Sequence, residues 1–368
     1  MALANATLQL WVYTGEYSID KPVSPQYTLY KDIVTGETEI RFEISELISD
    51  YIDITFNGSY DTATQSTWAE WTITRGYDDD TTDTEGGDPA PIKGSGIAWT
   101  GYGYFPEGIN PDLIAASPIM MSNRSMYLPV GEKIYIPLYT EVDGVSKVEY
   151  YTGDTLVDST EYTTTTSPLT ADMTTITADS TLYTADQTLT VNTSSVQTTI
   201  STTNSGATSI KIYKGDTVID TIAVNYINEC KNTPYKIYFV NKYGVIQEIW
   251  MFGRRNDNVN ITKDSYRRNT LDTTATSLTY STTKSTTELY NFATTEGITL
   301  NTGFVSEEFK NVIKELLLSP HSWILENGVV APIVPKTSSI EYKTQLYDKL
   351  INYTVDFEYA YNDVNIVR

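Results

Sequence analysis

The chain of 368 residues holds a single cysteine, Cys230, and a single histidine, His321. One thiol forms no intrachain disulfide, so oxidative cross-links do not hold this fold, which suits folding in a reducing compartment. One imidazole leaves a histidine zinc cage or a Ser-His-Asp triad almost nothing to draw on. Basic charge is scarce as well: 25 Lys and Arg face 47 Asp and Glu, a net charge of -22. So acidic a chain repels phosphates, which argues against general nucleic-acid binding. The same charge favours solubility before assembly and suits a partner with a basic surface. No apolar run approaches the roughly 20 residues that cross a bilayer, and Met1 to Thr7 lack the basic region and apolar stretch of a signal peptide. Gly-x-Ser-x-Gly, a phosphate-cradling glycine-rich loop and His-Glu-x-x-His are missing. A non-enzymatic protein without a cofactor, and without membrane insertion, is the expectation these absences leave.

What the chain has in quantity is alternation. Apolar or aromatic residues occupy 351, 353, 355, 357, 359 and 361, separated by Asn352, Thr354, Asp356, Glu358 and Ala360. Period two predicts a strand with one packed and one wet face. The pattern recurs at Leu8, Leu10 and Val12, with Trp11 and Tyr13 on the other side, at Ile40, Phe42 and Ile44, and over 68–74 and 133–139. Pro137 cannot donate to a ladder, so the last of these lies at an edge or bulge. Ile44, Leu47, Ile48 and Tyr51 shift to helical spacing and predict a short helical turn. Residues 235–240 and 245–252 flank Asn241-Lys242-Tyr243-Gly244, which predicts a hairpin. One longer helix is predicted over 306–318, with Phe309, Val312, Ile313, Leu316 and Leu317 on one face. Ser306 is its N-cap, Glu307 and Glu308 complement its dipole, and Pro320 stops it.

The expected fold is mainly β: several β-sandwich or barrel-like parts with one amphipathic helix in the C-terminal part. Residues 1–144 read as an N-terminal β domain, 145–225 as a threonine-rich β subdomain or insertion, and 226–368 as a C-terminal β domain. Thr and Ser dominate between Thr160 and Thr208, where alternation such as Leu189-Thr190-Val191-Asn192 favours threonine-rich strands over disorder. A repeat frames this stretch: Tyr151-Thr152-Gly153-Asp154-Thr155-Leu156-Val157-Asp158-Ser159 matches Tyr213-Lys214-Gly215-Asp216-Thr217-Val218-Ile219-Asp220-Thr221, 62 residues on. Gly-Asp marks a tight turn in each copy, so a duplicated hairpin is expected.

Candidate sites are few. Arg254, Arg255, Lys263, Tyr266, Arg267 and Arg268 form a basic cluster in an acidic chain. A solvated loop ranks first, a contact to the acidic face of a neighbouring subunit close behind, and a nucleic-acid contact third. Trp99, Tyr102, Tyr104 and Phe105 sit in a Gly-rich aromatic loop that serves as strand packing, interface anchor or sugar platform. The acidic run from Asp78 to Asp88 lacks the EF-hand frame and reads as a solvated loop rather than a Ca²⁺ site. Asp356 and Glu358 share a strand face as a glycosidase pair does, but the wet side of an amphipathic strand explains them more simply. His321 packs near Trp323 or satisfies helix carbonyls, and Cys230 is a buried or incidental thiol.

Three blocks carry a family resemblance. They are Asn232 to Gly244 with Trp250 and Phe252 after it, Thr302-Gly303-Phe304 through Ser319-Pro320-His321-Ser322-Trp323, and the end of the last strand, Ala360 to Asn365. In these blocks the chain resembles uncharacterised virion structural proteins of tailed bacteriophages, of the tail, baseplate and neck type. The resemblance covers the last third well and the first third loosely. It implies assembly in the host cytoplasm into a symmetric ring or tube within the virion, with other virion structural proteins and copies of itself as partners. It carries over no catalytic residue. A carbohydrate-binding adhesin using the loop at 99–105 is the alternative.

Overall fold

The computed structural model describes residues 2–14, 18–52, 54–58, 66–107, 119–139, 147–161, 197–202, 207–272, 279–342 and 351–361. The protein is mainly β, with three larger sheets, two two-stranded ribbons and one short helix near the C-terminus. It divides into two compact units, Met1–Ile227 with Val240–Gln247, and Asn228–Phe239 with Glu248–Arg368.

The first unit opens with β1 (Leu3–Tyr13), β2 (Tyr27–Asp32), the helical turn α1 (Ser45–Ser49), β3 (Ser66–Tyr77) and β4 (Ile92–Trp99). The four strands form an antiparallel sheet in the order β2-β1-β3-β4. Alternation in β1 turns Leu8, Leu10 and Val12 inward, where they bury with Ile48 of α1 and Ala69 of β3. Phe42 and Ile44 pack on this cluster. The alternation at 40–44 therefore tracks burial but not a strand: the segment leads into α1 outside every ladder of the described residues. The acidic run after β3 is also not simply solvated. Asp83 is buried, accepting hydrogen bonds from the Arg75 backbone at 2.9 Å, from Arg75 Nε at 2.8 Å and from the Tyr77 hydroxyl at 2.9 Å. Burial alone raises the Asp83 carboxyl; the bonds from Arg75 and Tyr77 outweigh it and hold it below its ordinary value.

The remaining strands of this unit are β5 (Ser125–Pro129), β6 (Ile134–Tyr139), β7 (Lys147–Thr152), β8 (Thr155–Glu161), β9 (Gln197–Thr202), β10 (Ser209–Lys214) and β11 (Thr217–Ile227). Five of them make a sheet in the order β5-β11-β10-β7-β8, with β5 parallel to β11, while β6 and β9 form a ribbon. The sheet that holds the repeat thus takes β5 from before residue 145. The threonine-rich residues 162–196, including Leu189 to Asn192, lie outside the described set.

The two repeat copies are the hairpins β7–β8 and β10–β11, and they pair with each other about a local twofold. Ser209 faces Tyr151 and Tyr213 faces Lys147, partners that exchange under the 62-residue shift. Gly153 and Gly215 both sit at φ 59° in the turns, where a side chain is strained. Each hairpin is bulged at the same place, between Tyr150 and Tyr151 and between Ile212 and Tyr213. One face of the pair is core, with Val148, Tyr150, Ile210 and Ile212 buried. On the other, Glu149 accepts from Lys147 Nζ at 2.8 Å and from the Tyr151 hydroxyl at 2.6 Å. Lys147, then Tyr151 and Tyr213, hold the Glu149 carboxyl down from 4.5 to about 2. A depressed carboxyl stabilises the fold above its unfolded value and loses that contribution as pH falls through the folded one. The urea midpoint of Glu149→Gln should lie below that of the parent at neutral pH, and the gap should close as pH falls from 4.5 toward about 2. A gap independent of pH would show that the carboxylate's charge contributes nothing.

The second unit contains β12 (Tyr235–Val240), whose last residue belongs to the first unit, β13 (Ile246–Met251), whose first two residues do as well, β14 (Asn256–Arg267), β15 (Leu271–Asp272), β16 (Thr279–Tyr280) and β17 (Thr287–Asn301). After them come α2 (Lys310–Leu318), β18 (Ser322–Glu326), β19 (Val329–Pro335) and β20 (Thr354–Tyr359). Seven strands form one sheet in the order β13-β12-β18-β19-β20-β17-β14. β20 realises the period-two pattern: Val355, Phe357 and Tyr359 are buried, as are Ile351 and Tyr353 before it, whereas Tyr361 is exposed. A single 3-10 turn, Glu307–Phe309, precedes α2, and Ser306 holds the extended N-cap backbone without a side-chain cap bond. Phe309, Val312, Ile313 and Leu316 are buried as expected. Leu317 is only half-buried, and Glu315 is buried instead. Ser319 is extended, as the residue before Pro320 must be, and ends the helix.

Candidate interaction surface

β14 lies at the edge of the seven-stranded sheet and pairs antiparallel with β17 from Asn256↔Thr299 to Arg267↔Thr287. β20 covers the other side of β17 only over Gly297 to Asn301. Beyond Gly297 the two strands continue as a ribbon with no further strand beside them among the described residues. At about 3.3 Å per residue the stretch from Val259 to Arg267 reaches about 30 Å. The short β15–β16 pair follows at its end.

The register sorts the ribbon into two unlike faces. Cross-strand partners share a face, so Asn258, Asn260, Thr262, Asp264 and Tyr266 lie with Asn291, Ala293 and Thr295. This side is polar and internally bonded. Asn291 Nδ2 donates to Asp264 at 2.9 Å, and the Tyr266 hydroxyl donates to Glu288 at 2.7 Å. The bulge at Tyr290 brings its ring to 6.1 Å from that of Tyr266. The other side carries Val259, Ile261, Lys263 and Ser265, which face Glu296, Thr294, Phe292 and Leu289 in turn. In the body of the sheet this same side is the core, through Ile298, Leu300, Val355 and Phe357. This side runs on along the ribbon with no described strand over it and becomes mixed: Val259, Ile261, Leu289 and Phe292 are 46–58 % exposed, interleaved with Glu296, Thr294, Lys263 and Ser265. A two-stranded hairpin is marginal in isolation, and large apolar side chains left in water among polar ones mark a contact surface.

The basic cluster of the sequence falls on this element but is not a cluster in space. Arg254 and Arg255 stand at its base and Arg267 and Arg268 at its far end, about 40 Å away along the strand. Arg255 is tied into the sheet: it bonds Asp257 and Glu326 and lies 5.0 Å from the Tyr235 ring centre. Tyr359 donates to the same Glu326, and burial with that bond pushes its phenol above the ordinary value. Arg268 pairs with Glu288, which Tyr266 also bonds. Arg254, Lys263 and Arg267 are exposed and form no ion pair with a described residue. By register Lys263 and Arg267 lie on the apolar side, Lys263 directly opposite Phe292. Sequence reading missed Val259, Ile261, Leu289 and Phe292. Their alternation is visible, but an uncovered apolar strand face looks in sequence like any buried one.

Charge is split between the units. The first holds 31 acidic and 11 basic residues, a net of -20, and the second 16 and 14, a net of -2. The ribbon is thus set in a nearly neutral unit, and the acidic excess belongs to the other.

The aromatic loop is largely engaged. The Tyr102 backbone donates to Lys242 O at 2.8 Å, and Tyr102 and Tyr104 meet edge to face at 5.6 Å. Lys242 lies 5.6 Å from the Tyr104 ring centre. Phe105, 99 % exposed, is the open ring, while the Trp99 side chain lies outside the described set. Asp356 accepts from Thr299 at 2.6 Å and Glu358 pairs with Lys336 at 2.8 Å, which places both on the bonded wet face of β20. His321 is exposed and stacks on Trp323 at 6.0 Å. Cys230 is exposed rather than buried. Among the described residues no group of three His, Cys, Asp or Glu is placed to hold a metal ion, and no helix is long and apolar enough to cross a membrane. No family model matches the chain, nor does any curated protein or solved structure match it.

Proposed function

We propose that this chain is a non-enzymatic structural subunit of a tailed-bacteriophage particle, of its tail, baseplate or neck. It is built in the host cytoplasm by assembly with copies of itself and with other virion proteins. The phage setting rests on the sequence resemblance. The assembly reading rests on one observation: the ribbon, whose Val259, Ile261, Leu289 and Phe292 stay exposed past the sheet with no described strand over them. Strand edges and apolar faces of this kind are consumed when subunits close on one another. The adhesin alternative has less support, because Tyr102 and Tyr104 spend their rings on each other and on Lys242.

Native mass spectrometry of the full chain tests the reading. A defined oligomer is expected, or one that forms when another virion protein is added. A monomer at every concentration that docks on no virion component overturns it. The geometry also refines which charges matter. Reversing Arg255 sets a carboxylate against Glu326 and Asp257, so loss of assembly there is confounded by loss of fold. The triple reversal Arg254→Glu, Lys263→Glu and Arg267→Glu should weaken assembly by about tenfold or more while the thermal midpoint stays put. Unchanged oligomer mass would count against the ribbon as the contact.

A further inference from the structure

We propose that β14 pairs antiparallel with β14 of a second copy of this chain, about a twofold axis through Asn260. The inference rests on the assembly reading and names the occupant of its surface. β14 is the longest edge strand of the three larger sheets, all twelve of its residues are exposed, and it holds no proline. Its outer N–H and C=O groups are a template for another strand. Past Gly297 the ribbon has only two described strands, a marginal structure; pairing two copies makes it four-stranded. The side chains decide which strand fits. A twofold normal to the sheet keeps each face on its own side, so odd residues meet odd and even meet even. Centred on Asn260, the pairing sets Asp257 opposite Lys263 and Val259 opposite Ile261, each twice by symmetry. On the other side Asn256 meets Asp264, Asn258 meets Thr262 and Asn260 meets its own copy, all groups that hydrogen-bond. Centring on Ile261 sets Val259 against Lys263, and centring on Thr262 sets Ile261 against Lys263 and Val259 against Ser265. Lysine on an edge ordinarily guards it against neighbours. Here Lys263, exposed and without an ion pair to a described residue, gains Asp257, whose side chain is 65 % exposed beside Arg255. The mixed charge of this side is thereby self-complementary. The contact belongs to the nearly neutral unit, so the acidic excess of the chain is not carried by the segment that pairs.

The test combines charge exchange with cross-linking on the full chain. By native mass spectrometry the parent should contain an even number of chains, because a twofold contact takes its members in pairs. Asp257→Lys and Lys263→Glu each set like charges opposite one another and should each weaken pairing at least about tenfold. Their equimolar mixture should recover it as a mixed pair, because each variant supplies the charge the other lacks. Both side chains are exposed, so the urea midpoints should stay close to that of the parent. Cross-linking reads the register without changing a charge. In a Cys230→Ser background, Asn260→Cys should give a covalent dimer when diamide oxidises the two facing thiols to a disulfide. Thr262→Cys, about 13 Å from its own copy along the strands, should not. A chain that stays monomeric alone but docks on another virion protein keeps the assembly reading and overturns this pairing. So does an odd-numbered oligomer, an assembly that neither charge variant weakens, a mixture that recovers nothing, or a dimer cross-linked through Thr262→Cys but not Asn260→Cys. A monomer that docks on nothing overturns both.

Discussion

Replacing Glu248 with alanine should lower stability by about 3–5 kcal/mol, the cost of leaving a buried ammonium without its counter-charge. Lys236 of β12 and Glu248 of β13 meet at 3.3 Å with side chains 7 % and 2 % exposed. Lys236 Nζ also lies 4.7 Å from the Trp250 ring centre and 5.9 Å from that of Tyr238. In the intact pair attraction roughly offsets desolvation; in the single variant the buried ammonium loses its opposite charge and desolvation dominates over the ring contacts that remain. Lys236→Met combined with Glu248→Leu removes both charges at similar volume and should return stability to within about 1 kcal/mol of the parent. Denaturant midpoints of Lys236→Met and Glu248→Leu taken singly, and of their double variant, close the cycle. Single-variant losses below about 1 kcal/mol are those of a solvent-exposed pair, and would show that water reaches these groups.

The second large effect is expected at Gly244 in the loop between β12 and β13. Its φ is 74°, and a Cβ there would overlap the Thr100 carbonyl oxygen, which is backbone and has nowhere to go. The loop itself is pinned from inside. Buried Asn241 donates to Met120 O at 2.8 Å and to Gln247 Oε1 at 3.0 Å, and Ser122 Oγ donates to the same Gln247 oxygen at 2.8 Å. Gly244→Ala should therefore cost about 3–4 kcal/mol, left-handed strain plus overpacking. Gly215→Ala is the control. Its φ is 59° but nothing lies within 4 Å of the added atom, so it should cost only about 1–2 kcal/mol of backbone strain. Urea midpoints that fall equally for both variants would remove the Thr100 contact from the account.

Much of the local architecture was readable because the alternation of side chains is a property of the extended backbone itself. The residues at 351–359 turn inward, the Gly-Asp copies make matched hairpins and the apolar face at 309–316 is buried, each decided within a few residues. Local pattern also misled in instructive ways. Ile40, Phe42 and Ile44 point inward without a ladder, since burial needs only an apolar neighbour whereas a strand needs a partner's N–H and C=O groups. Asp83 looked like one more solvated acid until Arg75 and Tyr77 of β3 closed on it. The six residues from Arg254 to Arg268 are neighbours in the chain, but extended backbone carries its two ends apart.

The amino-acid order alone determined the β class, the main turns, the helix and the acidic character, because each follows from periodicity, φ preference or composition over short spans. Tertiary structure alone decided that β5 joins β11 in parallel, that β20 stops covering β17 at Gly297, and that one apolar strand face is left in water. The reason is that strand pairing and burial are relations between distant segments. Val259 and Phe357 carry the same alternating signal, and only what stands opposite them makes one a surface and the other a core.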